Sequence, residues 1–154
     1  MDLFARKGLH IITNPGSNTK LASGVAPITR FLEKGINVGI GTDGASSNNC
    51  LDMFREMFLT SALAKVREMD AECVSADEIL YMATTGGAHA MQLFDCDSLA
   101  VGKKADLVMI DLNQPNMQPE NNIGYPFNKD IIQTQINADF TICVNLRSYL
   151  KQTD

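Results

Sequence analysis

Asp43 is the acidic residue of this sequence best placed to do chemistry. It lies in Gly39-x-Gly41-x-x-Gly44, directly after the β-prone run Ile36-Asn37-Val38-Gly39-Ile40. A Gly-x-Gly-x-x-Gly spacing behind a strand raises the possibility of dinucleotide binding. Three features argue against it. Asp43 would face the pyrophosphate with a negative charge. The polar turn Ser46-Ser47-Asn48-Asn49 follows where a helix should start, and Leu51 to Met69 reads as helix where a second strand with an acidic end is required. A carboxylate at a strand end, flanked by small residues, suits a metal ligand or a proton acceptor. It equally suits an Asp capping the Ser46–Asn49 turn.

The two histidines do not complete a metal site around it. His10 begins its own strand, about 13 Å at the usual rise from the end where Asp43 sits. His89 falls on a short helix, where a packing or surface role suffices. Catalytic zinc takes about three protein ligands, so one carboxylate is a fraction of a site. Cys50, Cys73, Cys96 and Cys143 include no Cys-x-x-Cys pair and read as free thiols.

The elements that must position Asp43 can be read from patterning. Residues 9–14 form a β-prone run stopped by Asn14-Pro15-Gly16. Ile28, Phe31 and Leu32 give Pro27 to Lys34 a helical spacing, and Gly35 ends it. With residues 36–40 this makes a βαβ unit, whose strands should run parallel. Leu51 to Met69 is the longest helix, with Leu51, Phe54, Phe58 and Leu63 on one side and Met57, Ala62 and Val66 beside them, a breadth that predicts burial on more than one face. Ser75-Ala76-Asp77-Glu78 is a capping box opening a helix through Ala83, with Gly86-Gly87 as its stop and a short helix over 88–93. Residues 107–110 read as a buried strand, 113–130 as an extended loop, and 140–144 as a last strand-like run.

Composition bounds the function. The 154 residues carry 13 Lys and Arg against 18 Asp and Glu, a net charge of −5, which excludes the basic footprint of a nucleic-acid binder. At 45% apolar residues a buried core is expected, while apolar runs fall short of the ~20 residues that cross a membrane. Met1-Asp2 opens without a charged-then-apolar leader, so a cytoplasmic location is the expectation.

Longer motifs then carry a resemblance. The segments Asn14-Pro15-Gly16-Ser17-Asn18-Thr19-Lys20-Leu21-Ala22-Ser23-Gly24-Val25-Ala26-Pro27, Gly35 to Asn49 continuing through Leu51-Asp52-Met53-Phe54, Met82-Ala83-Thr84, and Ser98 to Val108 occur in the order of the amidohydrolase superfamily. Over residues 3–115 the sequence resembles its methylthioadenosine/S-adenosylhomocysteine deaminase branch and the chlorohydrolase-like relatives. The resemblance implies an α/β fold that is the C-terminal fragment of a metal-dependent (β/α)8 TIM barrel, with residues 9–14 and 36–42 as the last two strands. Part of a small β-sandwich would follow, giving divisions 1–95, 96–120 and an atypical tail over 121–154. It implies that Asp43 is catalytic, touches the substrate and binds the metal, which is zinc or another divalent ion in the parent enzyme. The parent reaction would be hydrolytic deamination of an adenine-type purine nucleoside.

Departures from the family qualify this. Its His-x-His pair, a further ligand His and the catalytic Glu have no counterpart in this sequence, and a barrel needs about 250 residues. Thr13 stands where relatives usually have His, and Gly124–Asp154 does not follow the family's ending. The expectation is a chain that holds no zinc by itself and is weakly stable, oligomeric or completed by a second chain. The alternatives are a non-catalytic remnant or binding module, and a guanine deaminase or chlorohydrolase of the same superfamily.

Overall fold

The computed structural model describes residues 1–110, residue 115 and residues 141–143. Helix α1 (Asp2–Arg6) leads to strand β1 (Ile11–Thr13), helix α2 (Pro15–Lys20), helix α3 (Ile28–Glu33) and strand β2 (Val38–Ile40). Strands β1 and β2 pair in parallel with Ile11 opposite Val38 and Thr13 opposite Ile40. The parallel pairing required by the βαβ spacing is therefore present. Both strands are shorter than the patterning suggested. Asn14-Pro15-Gly16 ends β1 but also starts α2, because Pro15 occupies the first turn, where its missing N–H costs nothing.

Helix α4 (Met53–Glu68) follows the loop after β2 and is capped by Asp52, whose carboxylate accepts from the amides of Phe54 and Arg55. The buried stripe also differs from expectation. Glu56, Thr60 and Ala64 lie inward, whereas Leu51, Phe54, Phe58 and Val66 are exposed. Spacing of four aligns Glu56, Thr60 and Ala64 on one helix face, and β2 and α2 pack against α4. The larger apolar face points to solvent.

Helix α5 (Ala76–Tyr81) opens with the expected capping box, Ser75 and Glu78 bonding reciprocally. A π turn (Met82–Gly86) then runs straight into α6 (Gly87–Ala90). Gly86 and Gly87 keep helical dihedrals, so they do not act as the expected stop. At Gly86 the lack of a side chain serves packing instead. A Cβ on Gly86 would collide with the Val38 carbonyl oxygen and come 3.1 Å from that of Tyr81. Gly86→Ala is expected to destabilise the fold by about 1–3 kcal/mol, because the obstacle is backbone in a core strand. A urea denaturation midpoint equal to that of the unaltered chain would contradict this.

The core gathers Ile28, Phe31, Ile36, Val38, Ile40, Ala64, Val74, Ile79 and Met82 around β2. These residues belong to the first of two compact units, Met1–Phe94. The second unit, Asp95–Asp154, contains strand β3 (Val108–Ile110) paired antiparallel with strand β4 (Thr141–Cys143), Met109 opposite Ile142. In it Lys104 pairs with Asp95 and Lys103 with Asp97. The expected loop over 113–130, apart from residue 115, and the tail around β4 lie outside the described residues. Cys50 and Cys73 are free thiols. No described helix is long and apolar enough to cross a membrane.

Candidate functional site

Asp43 stands three residues beyond the end of β2, exposed at the C-terminal end of the parallel pair. In open parallel α/β structures that end is where ligands are met. Its backbone is in the left-handed region, φ 61°, which Asp tolerates better than most residues but at a conformational cost. The strain turns the carboxylate back on its own turn. Oδ1 accepts the Gly44 amide at 2.7 Å and Oδ2 accepts the Ser17 hydroxyl at 2.6 Å.

Those donors set its electrostatics. The Ser17 hydroxyl most of all, then the Gly44 amide and the Ser47 hydroxyl, hold the Asp43 carboxyl below its ordinary value. Each stabilises the charged form. The result is an ionised carboxylate on the surface, oriented by one buried serine and able to accept a proton or contact a cation.

Ser17→Ala is expected to raise the Asp43 pKa toward the usual carboxylate range. A lowered folded-state pKa contributes stability at pH above the unfolded-state value, lost as pH falls through the folded-state value. The variant should therefore have less to lose, over a window displaced to higher pH. Carbon-detected NMR titration of the Asp43 carboxyl reads this directly, and an unshifted curve would contradict it.

The other sequence candidates separate from Asp43. His10 bonds through Nδ1 to Asn37 Nδ2 at 2.9 Å, on the strand-entry side of the sheet. His89 lies against the rings of Tyr81 and Phe94. Thr13 is buried at the end of β1, where its carbonyl accepts the Gly41 amide at 2.9 Å. Ser47, by contrast, stays beside Asp43, with its hydroxyl also 3.2 Å from the Gly44 carbonyl oxygen. Among the described residues no three His, Cys, Asp or Glu side chains come together as a metal group. The described side chains therefore do not fit zinc, which needs about three protein ligands.

Patterning did not reveal the residue that ties this region together. Glu56 is fully buried on α4 and receives the Gly16 amide and the Asn48 side chain. The available signal was its position four residues before Thr60 and eight before Ala64, the inward face of α4.

A carboxylate beyond the carboxyl end of a parallel strand lies where ligands meet open α/β sheets. Residues 1–141 match the Amidohydrolase family, and the chain belongs to it. The match runs past residue 115, where the motif resemblance ends, and reaches into the segment read as atypical. The 5-methylthioadenosine/S-adenosylhomocysteine deaminase of Nitratidesulfovibrio vulgaris (strain DSM 19637 / Miyazaki F) is 52% identical over 119 residues, 77% of this chain and 27% of that protein. A zinc-bound adenosine deaminase from Xanthomonas campestris superposes with a TM-score of 0.74 at 41% identity, covering 82% of this chain and 29% of the other. E. coli guanine deaminase gives a TM-score of 0.63 at 28% identity, covering 75% and 27%. The chain spans little more than a quarter of the length of these relatives.

Proposed function

We propose that this chain is the C-terminal part of a metal-dependent deaminase barrel acting on adenine-type nucleosides, with Asp43 as its contribution to the reacting centre. The observation that carries the reading is the ionised Asp43 carboxylate, held by Ser17 and Gly44 at the end of a parallel strand pair. Support for the adenine class comes from identities of 52% and 41% to the methylthioadenosine/S-adenosylhomocysteine and adenosine deaminases, against 28% to the guanine deaminase. Residues 1–95 would be barrel, 96–120 sandwich and 121–154 a further segment.

Asp43 would accept a proton in the hydrolytic step and contact the substrate. Its use as one ligand of a divalent ion requires partners that the described residues lack. Those groups would come from the rest of the barrel, whether on the same polypeptide or another. The exposed Phe54 and Phe58 on α4, and the edges of a parallel sheet that has two strands among the described residues, are surfaces the rest of the barrel would cover.

The test is metal analysis and a methylthioadenosine deamination assay, run on the 154-residue chain and on a chimera. In the chimera the chain replaces the matching stretch of the N. vulgaris deaminase. The chain by itself should hold well under one equivalent of zinc and show no turnover, and the chimera should deaminate. A folded, zinc-loaded chimera without turnover would overturn the deaminase reading. Stoichiometric zinc and turnover in the chain by itself would overturn the need for a complement.

A further inference from the structure

We propose that Glu56 is a positioning residue: a buried post on α4 that locks the start of α2 to the loop after β2, thereby setting Ser17 against Asp43. Its side chain is 0% exposed, and both oxygens are used. Oε2 accepts the Gly16 amide at 2.7 Å and Oε1 accepts Asn48 Nδ2 at 2.8 Å. Each bond reaches a different strand exit. Gly16 directly precedes Ser17, whose hydroxyl donates to Asp43. Asn48 also donates to the carbonyl of Thr42, at 2.8 Å, and Thr42 directly precedes Asp43.

Asn48 is saturated by this arrangement. Both its amide hydrogens are given, to Thr42 and Glu56, and Oδ1 accepts the Cys50 amide at 3.2 Å and Arg55 Nη1 at 3.1 Å. Four bonds are the full capacity of an Asn side chain, so its orientation is determined. Gly16 shows how close the approach is. A Cβ there would collide with Glu56 Oε1 and lie 2.9 Å from Asn48 Nδ2. Lys20 adds a second tie from the far end of α2, to Ser46 O at 3.0 Å, but it is exposed and flexible.

The chemistry requires a carboxylate at position 56. Both neighbours are N–H donors, and a carboxylate accepts at both oxygens. A glutamine would turn its own NH2 toward one of them and lose that bond whichever way it faced. Buried groups left in that state shift rather than stay. Ser17 and Asp43 should therefore move apart while the core of the first unit stays folded.

The meaning for catalysis rests on the deaminase reading, but the positional claim is measured without metal or substrate, so either can fail separately. The experiment records NMR spectra of the full chain and of Glu56→Gln, with Ile79→Val as a small core truncation remote in sequence from the network. Glu56→Gln should displace the Gly44 amide, Ser17 amide and Asp43 carboxyl signals several-fold more than Ile79→Val, with a folded far-UV spectrum. Signals that stay put in folded Glu56→Gln would overturn the proposal. Should that variant not fold, Asn48→Ala is read for displacement of the Gly44 and Asp43 signals. Hydrogen exchange in the unaltered chain is read in parallel. The Gly16 backbone amide and the Asn48 side-chain NH2 should open together, and independent opening would overturn the proposal as well.

Discussion

Asp43→Asn, introduced into the chimera with the N. vulgaris deaminase, should lower kcat/KM by about 10²–10⁴-fold, or about 3–5 kcal/mol of transition-state stabilisation. Asn keeps the shape, tolerates the φ of 61°, and can give its one oxygen to the Gly44 amide while its NH2 donates to the Ser17 hydroxyl oxygen, which accepts as well as donates. What it loses is the negative charge and with it the ability to accept a proton. Because the carboxylate accepts from the buried Ser17 hydroxyl, the thermal midpoint should also fall, but only by a few degrees, as for the weakening of one hydrogen-bonded group. Steady-state deamination beside a melting curve measures both. Turnover equal to that of the unaltered chimera would remove Asp43 from the reaction.

Met82→Ala should be the more damaging change to the fold, at about 2–5 kcal/mol. Met82 is 0% exposed, begins the π turn and packs with Val38 and Ile79 in the core around β2. Truncation removes its buried thioether and methyl, and the Gly86 approach to the Val38 carbonyl keeps the neighbouring backbone from closing the space. For a unit of this size a loss of 1 kcal/mol lowers the midpoint by about 4–8 °C, so the variant should melt at least about 8 °C lower by circular dichroism. A midpoint within about 2 °C of the unaltered chain would mean the cavity collapses and the packing is looser than drawn.

The exposed side of α4 bears on how the chain behaves in solution. Leu51, Phe54, Phe58 and Val66 form one apolar face open to water, while the polar Glu56 and Thr60 are inside. Spacing identifies two apolar sides of such a helix but not which one has a neighbour. The neighbours of α4 are α2, β2 and α5, and α2 meets the Glu56 side through the Gly16 amide.

Much of the frame was legible because it depends on local signals. A strand, a helix and a strand within about 35 residues permit one handed crossover, and so the parallel pairing of β1 and β2. Asp43 could be put at a strand end because the run before it is β-prone and a polar turn follows. The Ser75 capping box needed no tertiary information, since both of its bonds lie within four residues.

Misreadings occurred where a residue's role depends on what lies across from it. Pro15 and Gly16 stop one strand and start a helix, and Gly16 is small because Glu56, 40 positions away, comes against it. Gly86 and Gly87 carry the chemistry of a helix stop, yet both keep helical dihedrals, and Gly86 is small because the Val38 carbonyl takes the space a side chain would fill.

The amino-acid order by itself determined the α/β class, the parallel pair and the carboxylate at the strand exit, which follow from neighbours a few residues apart, while its longer motifs carried the resemblance to the family. Tertiary structure decided that Ser17 meets Asp43 across 26 positions, and that Glu56 joins α4 to both strand exits. Those choices rest on which donors face which acceptors once the segments are packed, and sequence spacing contains no such distance.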